Sequence, residues 1–389
     1  MEASSNLENL SPALMKPFDL RTIERALRDL WKEDKVETTD KPKRVTMRAC
    51  IINFLIYSEA AEDIIAEVGR LNETIIDITK HHPSRVIVMS ARENSLSEGM
   101  EADVAAVCQF IPGRGKQVCS EEIVVSAQGS AVKRLPAAVM PLLVSDLPVA
   151  IWWRGTPSNP QLFNGLLKAA DRAILDTNTT QRPTAFLSVL ASMVKERKDI
   201  AFSDLNWARL TQLRSHIASL FDVPDLLQYL KDLTKVSVEF PSVTVDKDLP
   251  SPQAVMFVGW LASRLGWQKE PDVFHSKNGT HILKYRKDQH EVSVDLVPVS
   301  SMKTQDMRIV LTMADDTGWQ QARIVVNRIA DRNVIETKLE TPTICWLKEV
   351  AKYQLPCEAE LLSRELEILG HDAVYEAALE KAANLVDLM

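Results

Sequence analysis

The chain has 389 residues, more than one hydrophobic core fills, so two domains are expected and neither needs a metal or disulfide to hold it together. Hydrophobic residues at 46% and charged residues at 25% give an ordinary globular balance; five scattered cysteines exclude a disulfide framework and indicate a reduced, intracellular protein. A net charge of −7 disfavours nucleic acid and anionic membrane as partners.

Met1–Asn9 carries Glu2 and Glu8 and lacks the basic start and apolar centre of a signal peptide. From Leu20 onward Ile23, Leu27, Leu30 and Trp31 recur at helical spacing, so residues 1–40 read as a loose arm followed by a helix. The near-continuous apolar run Val45–Tyr57, rich in β-branched residues, predicts a strand buried on both faces, as in a parallel sheet. Helical and strand-like segments then alternate. A helix is expected over Ala60–Arg70 and strands over Arg85–Met89, Val104–Phe110 and Glu122–Ser126. A helix over Val132–Leu143, a strand over Pro148–Trp153, a helix over Leu162–Ala169 and a strand over Ala173–Asp176 follow, with helices near Thr184–Glu196 and Trp207–Leu220. The alternation predicts an α/β domain over 41–240, its sheet mostly parallel with helices on both faces. Leu135–Trp153 is the most apolar stretch, but Pro136, Pro141, Asp146 and Pro148 interrupt it, so it reads as core and not as a membrane span.

Pro241, Pro250 and Pro252, together with Asp246 and Asp248, mark an expected linker over 241–253. Beyond it, residues 254–389 predict an α+β domain. A helix over Gln253–Leu265 is stopped by Gly266, and strands follow over His281–Arg286, Glu291–Val297, Met307–Met313, Ala322–Ile329 and Asn333–Leu339. Val292, Val294 and Leu296 alternate with Ser293 and Asp295, as a strand with one wet face does, and the set is expected to form an antiparallel meander. Helices over Glu358–Leu369 and Asp372–Leu385 close the chain.

Motifs that carry chemistry are scarce. Pro112-Gly113-Arg114-Gly115-Lys116 has the wrong spacing for a phosphate-binding Walker loop and is followed by Gln117, so it reads as a turn between strands. Neither G-x-G-x-x-G, G-x-S-x-G, C-x-x-C nor H-E-x-x-H occurs, so neither a cofactor nor a metal is expected. Cys50, Cys108 and Cys119 lie in or beside apolar strands and read as packed thiols, whereas Cys345 and Cys357 form a candidate redox pair. His81-His82-Pro83-Ser84-Arg85 admits two readings. His82 and Arg85 form an anion-binding cluster, or the histidines end a helix that the proline stops. Trp152, Trp153 and Arg154 also admit two: a recognition site at a strand end, or two indoles packed on opposite faces of the sheet.

Arg48-Ala49-Cys50, His82-Pro83-Ser84-Arg85-Val86-Ile87-Val88, Asp146-Leu147-Pro148-Val149 and Trp152-Trp153-Arg154-Gly155 together resemble the glucose-6-phosphate dehydrogenase assembly protein family, OpcA. Trp260-Leu261-Ala262-Ser263-Arg264-Leu265-Gly266-Trp267 is similar to that family's second-domain helix. The resemblance implies a cytoplasmic bacterial protein, typical of cyanobacteria and actinobacteria, that is not an enzyme. It implies a partner, oligomeric glucose-6-phosphate dehydrogenase, which the protein assembles and activates at the entry to the NADPH-producing pentose phosphate pathway. In cyanobacterial members this activation is tied to redox state. Trp152 and Arg154, or Trp260 and Trp267 where exposed, are the expected partner contacts, since tryptophan and arginine are frequent interface anchors. The rival readings are an enzyme binding a sugar phosphate or nucleotide, and a metabolite sensor built on the α/β domain.

Overall fold

The computed structural model describes residues 15–31, 45–59, 64–111, 116–242, 249–275, 279–287, 290–314, 320–341, 347–368, 370–387 and 389. In chain order the elements begin with β1 (Lys16–Pro17), α1 (Leu20–Leu30), β2 (Val45–Arg48), β3 (Ile52–Glu59), α2 (Ile64–His81), β4 (Ser84–Arg92), β5 (Gly99–Ile111) and β6 (Lys116–Gln128). Next come α3 (Leu135–Val139), β7 (Val149–Trp153), α4 (Pro160–Leu167), β8 (Arg172–Leu175), α5 (Phe186–Glu196), β9 (Ala201–Asp204), α6 (Leu205–Ala208), α7 (Thr211–Leu220), α8 (Pro224–Leu227) and β10 (Leu233–Pro241). The chain continues with α9 (Pro252–Leu265), β11 (Gln268–His275), β12 (His281–Lys287), β13 (His290–Val299), β14 (Met307–Ala314) and β15 (Gln320–Ile329). It ends with β16 (Val334–Glu340), β17 (Leu347–Lys352), α10 (Glu358–Glu367) and α11 (Ala373–Val386).

Two compact units result. The first takes the chain to Asp176 together with Asp199–Ser203 and Glu358–Gly370; the second takes Thr177–Lys198, Asp204–Cys357 and His371–Met389. The chain thus passes between units well before the proline-rich 241–253 expected to separate the domains. Strand β10, which precedes that stretch, lies in the second sheet between β13 and β14.

The first sheet runs in the order β1-β5-β6-β4-β3-β7-β8-β9, with β2 beside β6. Strands β6, β4, β3, β7 and β8 are mutually parallel, and the order reverses at β3, which has β4 on one side and β7 on the other. Phe54, Leu55 and Ile56 on β3 are fully buried, as a strand covered on both faces requires. Gln109 on one face donates to Ile76 O and Thr79 Oγ1 of α2, while Trp31, at the end of α1, reaches Glu121 on the other. The expected parallel α/β sheet with helices on both faces is therefore present. Two local expectations change. The apolar run 45–57 divides into β2 and β3, which pair with different strands, and the strands expected over 104–110 and 122–126 are longer, forming the antiparallel pair β5 and β6. The residues 112–115 between them lie outside the described residues. The expected helix 132–143 is cut by Pro136 and Pro141 into α3 flanked by 3₁₀ turns.

The second sheet has the order β11-β12-β13-β10-β14-β15-β16-β17. It is antiparallel except where β10 lies parallel to β13, so the expected meander is two antiparallel runs joined through one inserted strand. Val236, Val238 and Phe240 of β10 are buried while Lys235, Ser237 and Glu239 alternate on the other face. Helix α9 is buried from Pro252 to Ala262 and ends at Gly266 with φ 71°, the left-handed C-cap expected from the sequence. It packs against α11, whose first turn is capped by Asp372 accepting from Val374 N and Tyr375 N. At the crossing a Cβ on Gly259 would stand 2.4 Å from Ala378 O and 2.9 Å from Ala382 N, so only glycine lets the helices approach this closely. Gly259→Ala is expected to destabilise the protein by about 1–3 kcal/mol, read as a lowered denaturation midpoint with unchanged slope, since neither helix backbone yields without repacking.

Candidate functional site

Trp152 and Trp153 follow each other on β7 and therefore point to opposite faces of the sheet. Both are 1% exposed. Trp153 stacks on Tyr57, with centroids 3.8 Å apart and planes at 17°, and meets the edge of Phe163 on α4 at 4.8 Å. Trp152 lies under the guanidinium of Arg154, 5.2 Å from ring centroid to Cζ. The packing reading holds for both rings, and neither is available as a surface anchor. Arg154, half-buried, also donates through Nη1 to Ser58 Oγ at 3.4 Å.

His82 and Arg85 are likewise engaged inside the protein. His82 follows the C-terminus of α2, is 9% exposed, and its Nε2 lies 2.8 Å from Ser363 Oγ on α10; burial holds its pKa below the usual histidine value. Arg85 donates through Nε to Glu121 Oε2 at 2.8 Å and through Nη1 to Leu142 O at 2.7 Å. Its guanidinium is thus held by a carboxylate of the protein itself, and the cluster does not assemble as an anion site. Trp260 is 9% exposed beside Phe257, and Trp267 is 3% exposed against Tyr285, so the exposure that would make them partner contacts is missing.

Cys108 and Cys119 are joined by a disulfide, contrary to the expectation of packed thiols, because the β5–β6 register sets them directly opposite each other. Sequence spacing alone cannot reveal that register. Cys357 is exposed, and Cys345 lies outside the described residues.

An electrostatic feature absent from the motif reading is a pair of neighbouring glutamates on β6. Glu121, 2% exposed, receives Arg85, Arg48 Nη2 at 2.8 Å and Trp31 Nε1 at 3.0 Å. Glu122 points to the opposite face, where its register neighbours are Ala105 on β5 and Val86 on β4, and Oε1 finds no hydrogen-bond partner among the described residues. Burial, with Asp103 as a lesser cause, pushes its carboxyl up to about 7. In the second unit Arg328, 1% exposed, donates to Gln305 O and Gln253 Oε1, both at 2.7 Å. Residue-type counting misses such groups, since a buried arginine or glutamate in a strand reads as a wet-face residue. Among the described residues no group of three or more His, Cys, Asp or Glu is placed to hold a metal ion.

A doubly wound α/β unit and a second unit of mixed sheet and helices define the class: a two-unit α/β and α+β protein. Two family profiles match it, the glucose-6-phosphate dehydrogenase subunit N-terminal domain over residues 76–192 and the corresponding C-terminal domain over 200–379. The chain belongs to this family, OpcA. It is 26% identical over 377 residues to OpcA of Nostoc punctiforme, covering 93% of this chain and 79% of the relative. To OpcA of Synechococcus elongatus it is 24% identical over 312 residues, covering 78% and 67%. Among solved structures an NAD-binding oxidoreductase from Klebsiella pneumoniae is similar at a TM-score of 0.48 and 7% identity, covering 87% of this chain and 96% of that one. At that level the likeness carries no chemical inference.

Two substitutions test the glutamates. Glu121→Ala is expected to cost roughly 3–5 kcal/mol of unfolding free energy, because it leaves Arg85 desolvated without its carboxylate. For Glu122 the folded pKa lies above that of an ordinary glutamate. Between about pH 4.5 and 7 the native state keeps a proton that the unfolded chain has released, so stability falls as pH rises through that window. Glu122→Gln is expected to remove this fall and to raise stability at pH 8 by about 1–3 kcal/mol, measured by urea unfolding across pH.

Proposed function

We propose that this protein docks onto glucose-6-phosphate dehydrogenase, promotes its assembly and raises its activity, with no bond made or broken by its own side chains. The observation that carries the reading is the match of both parts of the chain to the two domains of the glucose-6-phosphate dehydrogenase subunit family. The sequence supports it by lacking a nucleophile motif and a dinucleotide fingerprint. No helix among the described residues is long and apolar enough to cross a membrane.

Activation follows from linkage. An effector shifts an equilibrium only by binding the active conformation more tightly than the inactive one, and a tenfold shift needs about 1.4 kcal/mol of difference. With Trp152, Trp153, Trp260 and Trp267 buried, that difference comes from other surface groups. Mixing the chain with the dehydrogenase of the same cell is expected to increase complex mass by light scattering and to speed NADPH formation at low glucose 6-phosphate. The chain alone is expected to turn over nothing. An unchanged mass and rate under both oxidising and reducing conditions would remove the proposal.

A further inference from the structure

The carboxyl ends of the central parallel strands carry a row of polar side chains on one face. Register sets Ser58 of β3 beside Ser90 of β4, and Ser90 beside Ser126 of β6. Trp152 pairs with Ile56, so Ser58 and Arg154, each two residues further on, share that face, and the Arg154–Ser58 hydrogen bond closes the row. Arg92, two residues past Ser90 on β4, brings a second guanidinium to the same side. The positions one step earlier are Ile56, Val88 and Val124, all buried and apolar, so the change to three serines occurs where the strands end.

Ser58, Ser90 and Ser126 are 4%, 0% and 3% exposed, and Ser90 Oγ has no hydrogen-bond partner among the described residues. A buried hydroxyl left unpaired is costly, and alanine would fill the place without that cost. The row also sits where strand order reverses, the place at which open α/β sheets hold ligands.

We propose that this row is a binding site for a phosphate monoester of a small metabolite. Arg154 and Arg92, both half-buried, supply the charge and the forked donors that match phosphate oxygens. The serine hydroxyls complete the donor set, Ser90 finding in the ligand the acceptor it lacks. Glu59 falls on the opposite face with Tyr57 and does not oppose the anion. The chain lacks the G-x-G-x-x-G fingerprint that holds the pyrophosphate of a dinucleotide. The site does not depend on docking to the dehydrogenase and is tested on the chain alone.

The test is calorimetric titration and thermal unfolding of the full chain with inorganic phosphate, glucose 6-phosphate and NADP⁺, at ionic strength matched with potassium chloride. Saturable binding of phosphate and tighter binding of glucose 6-phosphate are expected, with NADP⁺ binding no tighter than phosphate. Arg154→Gln is expected to weaken the sugar phosphate at least tenfold. Ser90→Ala is expected to weaken it severalfold while leaving the unliganded melting temperature unchanged or higher, so its loss of binding is not a loss of fold. Four results overturn the assignment: no saturable response beyond that of chloride, affinity undiminished in both variants, tightest binding by NADP⁺, or binding of inorganic phosphate without glucose 6-phosphate.

Discussion

The first unit is organised around a carboxylate that its fold buries and then has to satisfy. Glu121 sits on β6, which pairs with β5, β4 and β2, so its side chain cannot reach bulk water. Arg85 comes from the adjacent strand, Arg48 from β2, and Trp31 from beyond the end of α1. Three separate segments are therefore held in register by one acceptor, and each must be in place before burial of the charge becomes tolerable. The same strand geometry that lets Glu121 be satisfied turns Glu122 the other way, onto Ala105 and Val86. Two identical residues next to each other thus meet opposite fates. One is an anchor; the other holds its proton into the neutral range because it is buried, with Asp103 adding to the rise.

The second unit solves a different problem, that of covering a wide sheet on one side. Its inner face is apolar along β10, β12, β13, β14 and β16, and α9 and α11 meet at a glycine-permitted distance. Its other face carries cross-strand ion pairs such as Lys235–Asp295 at 2.7 Å and Arg308–Glu239 at 3.1 Å, half-exposed contacts worth little singly. They keep adjacent strands compatible in water without fixing the fold, which the inner face does.

Much of this was legible in the sequence, and the failures have identifiable causes. Long elements with a clear period were found within a few residues: α9, α11 and β12 through β16 all lie close to where the spacing puts them. Strand β10 was not among the expected elements, although Val236, Val238 and Phe240 alternate with Lys235, Ser237 and Glu239, and nothing local says which sheet a strand enters. The same blindness to partners hid the β5–β6 register, the Cys108–Cys119 disulfide and the split between β2 and β3. For the site, Trp152, Trp153 and Arg154 were located correctly at a strand end, yet their environment was not, because alternation gives the face and not what covers it. The serines of the row could be found only after β3, β4 and β6 were aligned, since each is an isolated small residue in its own segment.

The tryptophans carry a further consequence for how distinctive motifs are read. Trp152-Trp153-Arg154-Gly155 is the most recognisable block in the chain, and an unusual pair of aromatics invites assignment to a contact surface. Here both rings lie in the core, one on each face of β7, and the adjoining Gly155 takes φ 85°, a conformation that most side chains resist. Such a block is constrained because β7 borders the reversal of strand order and is packed on both sides, with Arg154 emerging at its end against Trp152 and Ser58. The aromatic layer fixes where the arginine emerges. A motif of this kind marks the frame that positions a functional group, and only its last charged member, half-exposed at the strand end, is placed to meet anything outside the protein.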